Sequence, residues 1–182
     1  MALYRIWKEL RDIGISNYVY EIENRKPHIT LADYSELKES EYSELFDGYY
    51  KSAPKMRLSY NTLGTFMNSG ALFLSPNPTE EHIKFHSNYH NHFKKYDAFS
   101  NHMYHPESWI PHCTVANHLD DQKLLEALHF TTKRLESMQT EVQEISLIKI
   151  IHQNNKRVIG TVISKALIED LCKLIGEDND II

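Results

Sequence analysis

Cysteine is almost missing from this 182-residue chain: Cys113 and Cys172 are the only two. Two thiols give no disulfide framework of the secreted kind and fit a reducing cytoplasm. Glycine and proline are sparse as well, six of each, which argues against a loop-rich scaffold. No low-complexity tract points to disorder. The first residues, MALYRIWKEL, hold no apolar run of signal-peptide length, and no later stretch is long enough to span a membrane. An excess of positive charge is lacking too. With a net charge of −5, the chain is not expected to carry an extended nucleic-acid-binding face, so any such ligand should be short or one end of a strand. These absences describe a soluble, cytoplasmic protein with no membrane partner, and they leave its oligomeric state open.

What is present suffices for a core: 41% of residues are hydrophobic, and the length suits a single domain over 1–182. Histidine and tyrosine stand out at eleven each. Many of them fall between Tyr89 and His118.

Apolar Leu3, Ile6, Trp7, Leu10 and Ile13 recur at helical spacing, predicting a helix over 2–13 that ends at Gly14. Alternation predicts a strand over 17–23 and another over 28–33 after Pro27. Asp33 and Glu36 resemble a capping box for a helix over 35–51 with Leu37, Leu45, Phe46 and Tyr49 inward. Strands are expected at 55–66 and 70–75, split by a turn at Asn68-Ser69-Gly70. Thr79 should cap a helix reaching residue 96, and Asp120 one reaching 137, with the strand WIPHCTVAN between them. Two strands near 140–152 and 157–165, turned at Asn154-Asn155, and a short helix over 167–175 complete the reading. The order amounts to two similar halves, a duplication of mixed α and β elements rather than a short repeat.

One phrase occurs in both halves: KPHITLADY at 26–34 and IPHCTVANH at 110–118. In a strand, side chains i and i+2 share a face about 6.5–7 Å apart. His28 and Thr30 would then point one way and Ile29 and Leu31 toward a core. His112 and Thr114 would likewise oppose Cys113 and Val115. Two such strands enclose two imidazoles and two hydroxyls. One imidazole can act as general base and the other as general acid near neutral pH, while hydroxyls donate to anionic oxygens. A phosphodiester fits that inventory, and its cleavage by these groups needs no metal or other cofactor. A lone His-x-Thr in a strand is commonplace; its repetition at matching places, with Pro before and Ala after, favours a functional site.

PHITLA and PHCTVA resemble the paired His-x-Thr-x signatures of the 2H phosphoesterase superfamily. That group includes RNA 2′,3′-cyclic phosphodiesterases, also called 2′-5′ RNA ligases, and the likeness is greatest to its small phosphoesterases of Gram-positive bacteria. It extends from the first helix to about residue 165. The resemblance implies an α+β fold of two lobes, with antiparallel sheets facing a central cleft and helices outside. It also implies that His28 is proton donor and His112 proton acceptor, with Thr30 and Thr114 binding phosphate. Members usually begin with a strand ahead of the first helix, so one sheet here is expected to be a strand short.

Other residues carry weaker signals. His82, His86 and His90 recur every four residues, a spacing able to hold Zn²⁺ or Ni²⁺. No Cys, Asp or Glu completes a familiar set, and HIKFH lacks the metalloprotease glutamate. His86 and His90 join Ile83 and Phe93 on an apolar stripe, so packed, hydrogen-bonded histidines are expected and no metal site is assigned. His102, Tyr104, His105 and Trp109 precede the second motif and could stack a nucleobase or simply pack as a loop. Arg25 and Lys26 could attract an anion or be ordinary surface charge. Cys113 is expected in the core, not as a nucleophile. The sequence thus predicts a metal-independent phosphoesterase acting on a nucleotide or short RNA end. The competing reading is a catalytically idle RNA- or nucleotide-binding module on the same scaffold.

Overall fold

A computed structural model describes residues 2–168. Most of the expected helix over 167–175 lies outside those residues. Leu167 and Ile168 are not helical, and Ile168 bridges Pro54. No helix among the described residues is long and apolar enough to cross a membrane.

Helix α1 (Ala2–Asp12) buries Leu3, Ile6, Trp7 and Leu10 and ends where Gly14 takes a φ of 74°. Ile13, placed on the same stripe by the sequence, is exposed instead. The strand expected over 17–23 is mostly a 3₁₀ turn, Tyr18–Glu21, followed by a two-residue strand β1 (Ile22–Glu23). Tyr18 and Ile22 are both buried, and a spacing of four brings them to one side through a helical turn. Helix α2 (Glu39–Tyr49) starts later than expected, without a capping box. Its N-cap Lys38 makes no side-chain cap, and Tyr42 and Phe46 face inward with Tyr50 just beyond.

Strands β2 (Met56–Thr65) and β3 (Leu72–Pro76) flank a turn in which Asn68 and Gly70 have positive φ. The Thr79 hydroxyl accepts the His82 N–H at 3.1 Å to open helix α3 (Glu80–His92), after which the chain tightens into a 3₁₀ segment, Lys94–Phe99. Strand β4 covers only Cys113–Ala116, leaving His112 just ahead of it. Asp120 caps helix α4 (Asp121–Thr132) through the Lys123 N–H at 2.8 Å. The last expected strand pair resolves into three, β5 (Met138–Val142), β6 (Glu144–Gln153) and β7 (Lys156–Ala166). Asn154 and Asn155, at φ 51° and 60°, make the β6–β7 turn with the left-handed conformation that Asn tolerates.

The strands form a four-stranded sheet, β4-β3-β2-β5, and a three-stranded one, β1-β7-β6. Neighbours are antiparallel except β1 and β7, which run parallel. The chain passes from one sheet to the other at Gln143, between β5 and β6. Two hydrophobic clusters accompany the sheets. One joins α1, β2, β3, β4 and Ala127 of α4; the other joins Tyr42, Phe46, Tyr50, Tyr89, Phe93 and Tyr96.

The first motif departs most from expectation. Residues 25–33 form no strand and join no sheet, with a bend at Leu31. Partly buried Ile29 packs on the first cluster and Leu31 on the second, so the segment runs along their junction. Backbone carbonyls in such a place need partners, and side chains supply them. Trp109 Nε1 donates to Thr30 O at 2.9 Å. His86 Nε2 and His90 Nε2 reach Leu31 O at 3.2 and 3.1 Å. The His86 ring lies flat on the Trp109 indole, centroids 3.6 Å apart, and His82 meets the indole edge-on. All three helical histidines are buried and packed, but only His86 and His90 are hydrogen-bonded as the sequence implied; His82 Nδ1 is buried without a partner among the described residues. Ile83, the expected companion on their stripe, is exposed.

Burial, reinforced by neighbouring His90, pushes the His86 pKa down to about 4 from 6.5, so the ring is neutral near pH 7. As pH falls from 6.5 toward 4, an unfolded imidazole gains a proton that the folded one refuses, so stability is lost across that window. The full gap corresponds to roughly 3 kcal/mol. Thermal unfolding measured from pH 7 to pH 4 should show this loss. In His86→Gln, which keeps a donor but cannot titrate, the slope should be shallower; an unchanged slope would refute the assignment.

Candidate active site

Both motif histidines make the same local hydrogen bond. His28 Nδ1 lies 2.7 Å from Lys26 O, and His112 Nδ1 lies 2.7 Å from Ile110 O. A carbonyl can only accept, so each Nδ1 carries the hydrogen and each Nε2 is left for another partner. The prolines of the two phrases sit between ring and acceptor. Pro27 and Pro111 have a locked φ, and a proline biases the residue before it toward extended backbone, which directs the preceding carbonyl back at the imidazole.

The threonines are neighboured alike, Thr30 by the Tyr104 side chain and Thr114 by that of Tyr18, each close enough to act on the phenol. Burial raises the pKa of both phenols, so each remains neutral. In β4 the alternation holds as expected: Cys113 and Val115 are buried, and Thr114 is half-buried on the other side. Burial pushes the Cys113 thiol up to about 11, partly offset by a hydrogen bond from the His28 backbone N–H. That bond brings the two motif segments into direct contact.

His28 keeps a solvent-exposed surface, yet protein surrounds enough of it to lower its pKa below 6.5. Desolvation is the main cause, opposed by the Lys26 carbonyl and reinforced by the Arg25 charge and by neighbouring His112. The two imidazoles thus feel one another. An aromatic wall stands beside His112: Phe66 meets it edge-on at 4.9 Å and Phe73 at 5.4 Å. Gly64 makes room for that wall, since a Cβ there would lie 2.7 Å from Phe73 Cε2.

The remaining candidates are spread around this centre. Arg25 lies over the Tyr18 ring at 3.9 Å and donates to Tyr18 O, which keeps its charge near His28. Lys26 is engaged by Glu144 at 2.8 Å. Trp109, half-buried, has one ring face covered by His86. His105 turns toward Glu107 and contacts His90 with centroids 5.5 Å apart. Sequence reasoning did not single out Tyr18, Gly64, Phe66 or Phe73. Nothing in the order of residues separates Tyr18 from ten other tyrosines, and the aromatic wall comes from β3 and the loop before it, far from either motif in sequence.

Two proton-carrying rings locked in one tautomer, two hydroxyls and a nearby guanidinium make a site suited to an anion undergoing acid–base chemistry. The comparisons with known proteins agree with that reading of the fold. The profile of the 2′-5′ RNA ligase superfamily matches residues 2–154. A solved structure described as a phosphoesterase is 14% identical with a TM-score of 0.63, covering 93% of this chain and 94% of its own. Escherichia coli LigT complexed with 3′-AMP is 14% identical with a TM-score of 0.57, covering 92% of each chain. LigT complexed with NADP⁺ is 13% identical with a TM-score of 0.59, covering 92% of this chain and 91% of its own. No curated protein matches the sequence. With the superfamily profile spanning most of its length and both His-x-Thr segments brought together, the chain belongs to the 2′-5′ RNA ligase superfamily of 2H phosphoesterases.

Proposed function

We propose that this protein is a metal-independent phosphoesterase that opens a cyclic phosphate, or cleaves a phosphodiester, at the end of a nucleotide or short RNA. The matched lock on His28 and His112 carries the reading: both rings hold a proton on Nδ1 and offer Nε2. In this scheme His112 takes a proton from the attacking water as its oxygen bonds to phosphorus. His28, carrying a second proton on Nε2 as the imidazolium that a bound anion favours, gives that proton to the leaving oxygen as the old P–O bond breaks. Thr30 and Thr114 donate to the non-bridging oxygens, and Arg25 adds positive charge beside them. The LigT complexes with 3′-AMP and NADP⁺ support a nucleotide as the ligand class. A buried, unpaired Cys113 suits the proposed cytoplasmic setting. The alternative, a nucleotide-binding module without turnover, would need the same hydroxyls but no matched pair of Nε2 atoms.

Positioned proton transfer contributes ~10²–10⁴-fold. His28→Ala and His112→Ala should each lose about that much in kcat on a 2′,3′-cyclic mononucleotide, and the double variant far less than the product of the two losses. Thr30→Ala and Thr114→Ala should cost roughly ten- to a hundredfold, one hydrogen bond to an anionic oxygen each. A folded double-histidine variant that turns over substrate at the wild-type rate would end the proposal.

The charge logic around His28 gives a second expectation. In the free protein its pKa lies below 6.5. A bound anion favours the charged imidazole and should raise that value. In NMR titrations the His28 resonance should therefore titrate below pH 6.5 alone and at higher pH with 3′-AMP present. The alkaline limb of kcat should sit at higher pH than that of kcat/KM, as values of the coupled pair. A His28 titration that moves down on ligand binding would contradict the anion assignment.

A further inference from the structure

The loop between α3 and β4 holds a group of side chains that the proposed reaction leaves unused. His102, His105 and Glu107 each offer one ligand atom, and these atoms all lie within 4.8 Å of one another. Glu107 Oε1 is 3.5 Å from His102 Nε2 and 3.8 Å from His105 Nδ1. Ligands on a tetrahedral zinc ion, with bonds of about 2.0–2.1 Å, stand about 3.3 Å apart. Two of the three separations are thus within roughly half an ångström of a bound geometry.

The outward nitrogens of both rings already have partners. Ser108 Oγ lies 3.3 Å from His102 Nδ1. Ser100 Oγ hydrogen-bonds His105 Nε2, and the same hydroxyl donates to Asp97 O at 3.0 Å. With its proton committed to a carbonyl, Ser100 can only accept from the ring. His105 therefore carries its hydrogen on Nε2 and directs the Nδ1 lone pair toward the Glu107 carboxylate. Two electron-rich atoms facing each other call for a cation between them. Metal-bound histidines are oriented by an outer partner of this kind.

The backbone sets the turn beforehand. His105 N–H donates to His102 O at 3.0 Å, and the Ser108 and Trp109 N–H groups both reach His105 O at 2.9 Å. We propose that His102, His105 and Glu107 bind a divalent transition-metal ion of the zinc class, with solvent completing the tetrahedron. The ion is structural and stands apart from the proton transfers. It fastens the loop whose Tyr104 lies beside Thr30 and whose Trp109 donates to Thr30 O. The sequence assigned no metal because it weighed only the helical trio, which packs against Trp109 and Leu31 instead.

The full chain, stripped with EDTA and dialysed, is titrated with Co²⁺ and separately with Zn²⁺. The expected result is a tetrahedral Co²⁺ spectrum at one equivalent, displaced by Zn²⁺, and a Tm that rises with Zn²⁺ until saturation. His102→Ala and Glu107→Gln, at exposed positions, should each weaken binding by roughly tenfold or more while the metal-free Tm stays unchanged. The rival for the same geometry is a protonated His105 held by Glu107. It gives neither spectrum nor Zn²⁺-dependent Tm, and that outcome overturns the proposal, as does binding that survives both substitutions. Turnover of a 2′,3′-cyclic mononucleotide is read in parallel. Its persistence after EDTA supports a structural ion. A loss restored by Zn²⁺ overturns both the structural role and the metal-free reaction, with metal binding at this site still established.

Discussion

The arrangement rests on how two adjacent carbonyls of the first motif are satisfied. Thr30 O and Leu31 O have no ladder partner, and leaving such groups unpaired in a partly buried place costs about 1–3 kcal/mol each. One indole N–H and two imidazoles meet that demand. Because Trp109 lies three residues ahead of His112, the same indole that holds the first motif also fixes where the second begins. The position of His28 relative to His112 is thus set largely by side-chain hydrogen bonds and ring stacking rather than by sheet pairing.

This gives the duplicated halves an uneven construction. At the motif rings and hydroxyls they match closely, with a carbonyl two residues back locking each imidazole and a tyrosine beside each threonine. Behind those atoms they differ. The second motif rests on β3, with Thr114 opposite Phe73 and Cys113 opposite Leu74, while the first rests on α3 and the loop after it. The two motifs are thus alike at their rings and hydroxyls and unlike in the support behind them.

The local features were the readable ones. Helix caps at Thr79 and Asp120, the stop at Gly14 and the Asn154-Asn155 turn all depend on neighbours within four residues, and each was found where the sequence put it. The paired motifs were legible because repetition removes the ambiguity of a single His-x-Thr. What failed needed distant partners. Alternation over 17–23 could not reveal that Tyr18 and Ile22 share a core face through a 3₁₀ turn, and Asp33 lies too far ahead of Glu39 to cap it. Alternation also predicted a strand at 28–33 where none forms, because whether a segment joins a sheet depends on what lies beside it. The histidines of α3 were read correctly as packed, yet their acceptor, Leu31 O, lies more than fifty positions away.

The uneven support has an evolutionary consequence. A duplicated chain of this kind is expected to descend from a single half that paired with a copy of itself. The present halves could no longer make that reversal. The amino-terminal one relies on Trp109 from beyond its own boundary, and β5 and β6, separated only by Gln143, serve different sheets. With a donor from one half holding the backbone of the other, neither half supports its motif alone. Gene fusion here would have been a ratchet, turning a dimer's exchangeable subunits into segments that can only be inherited together.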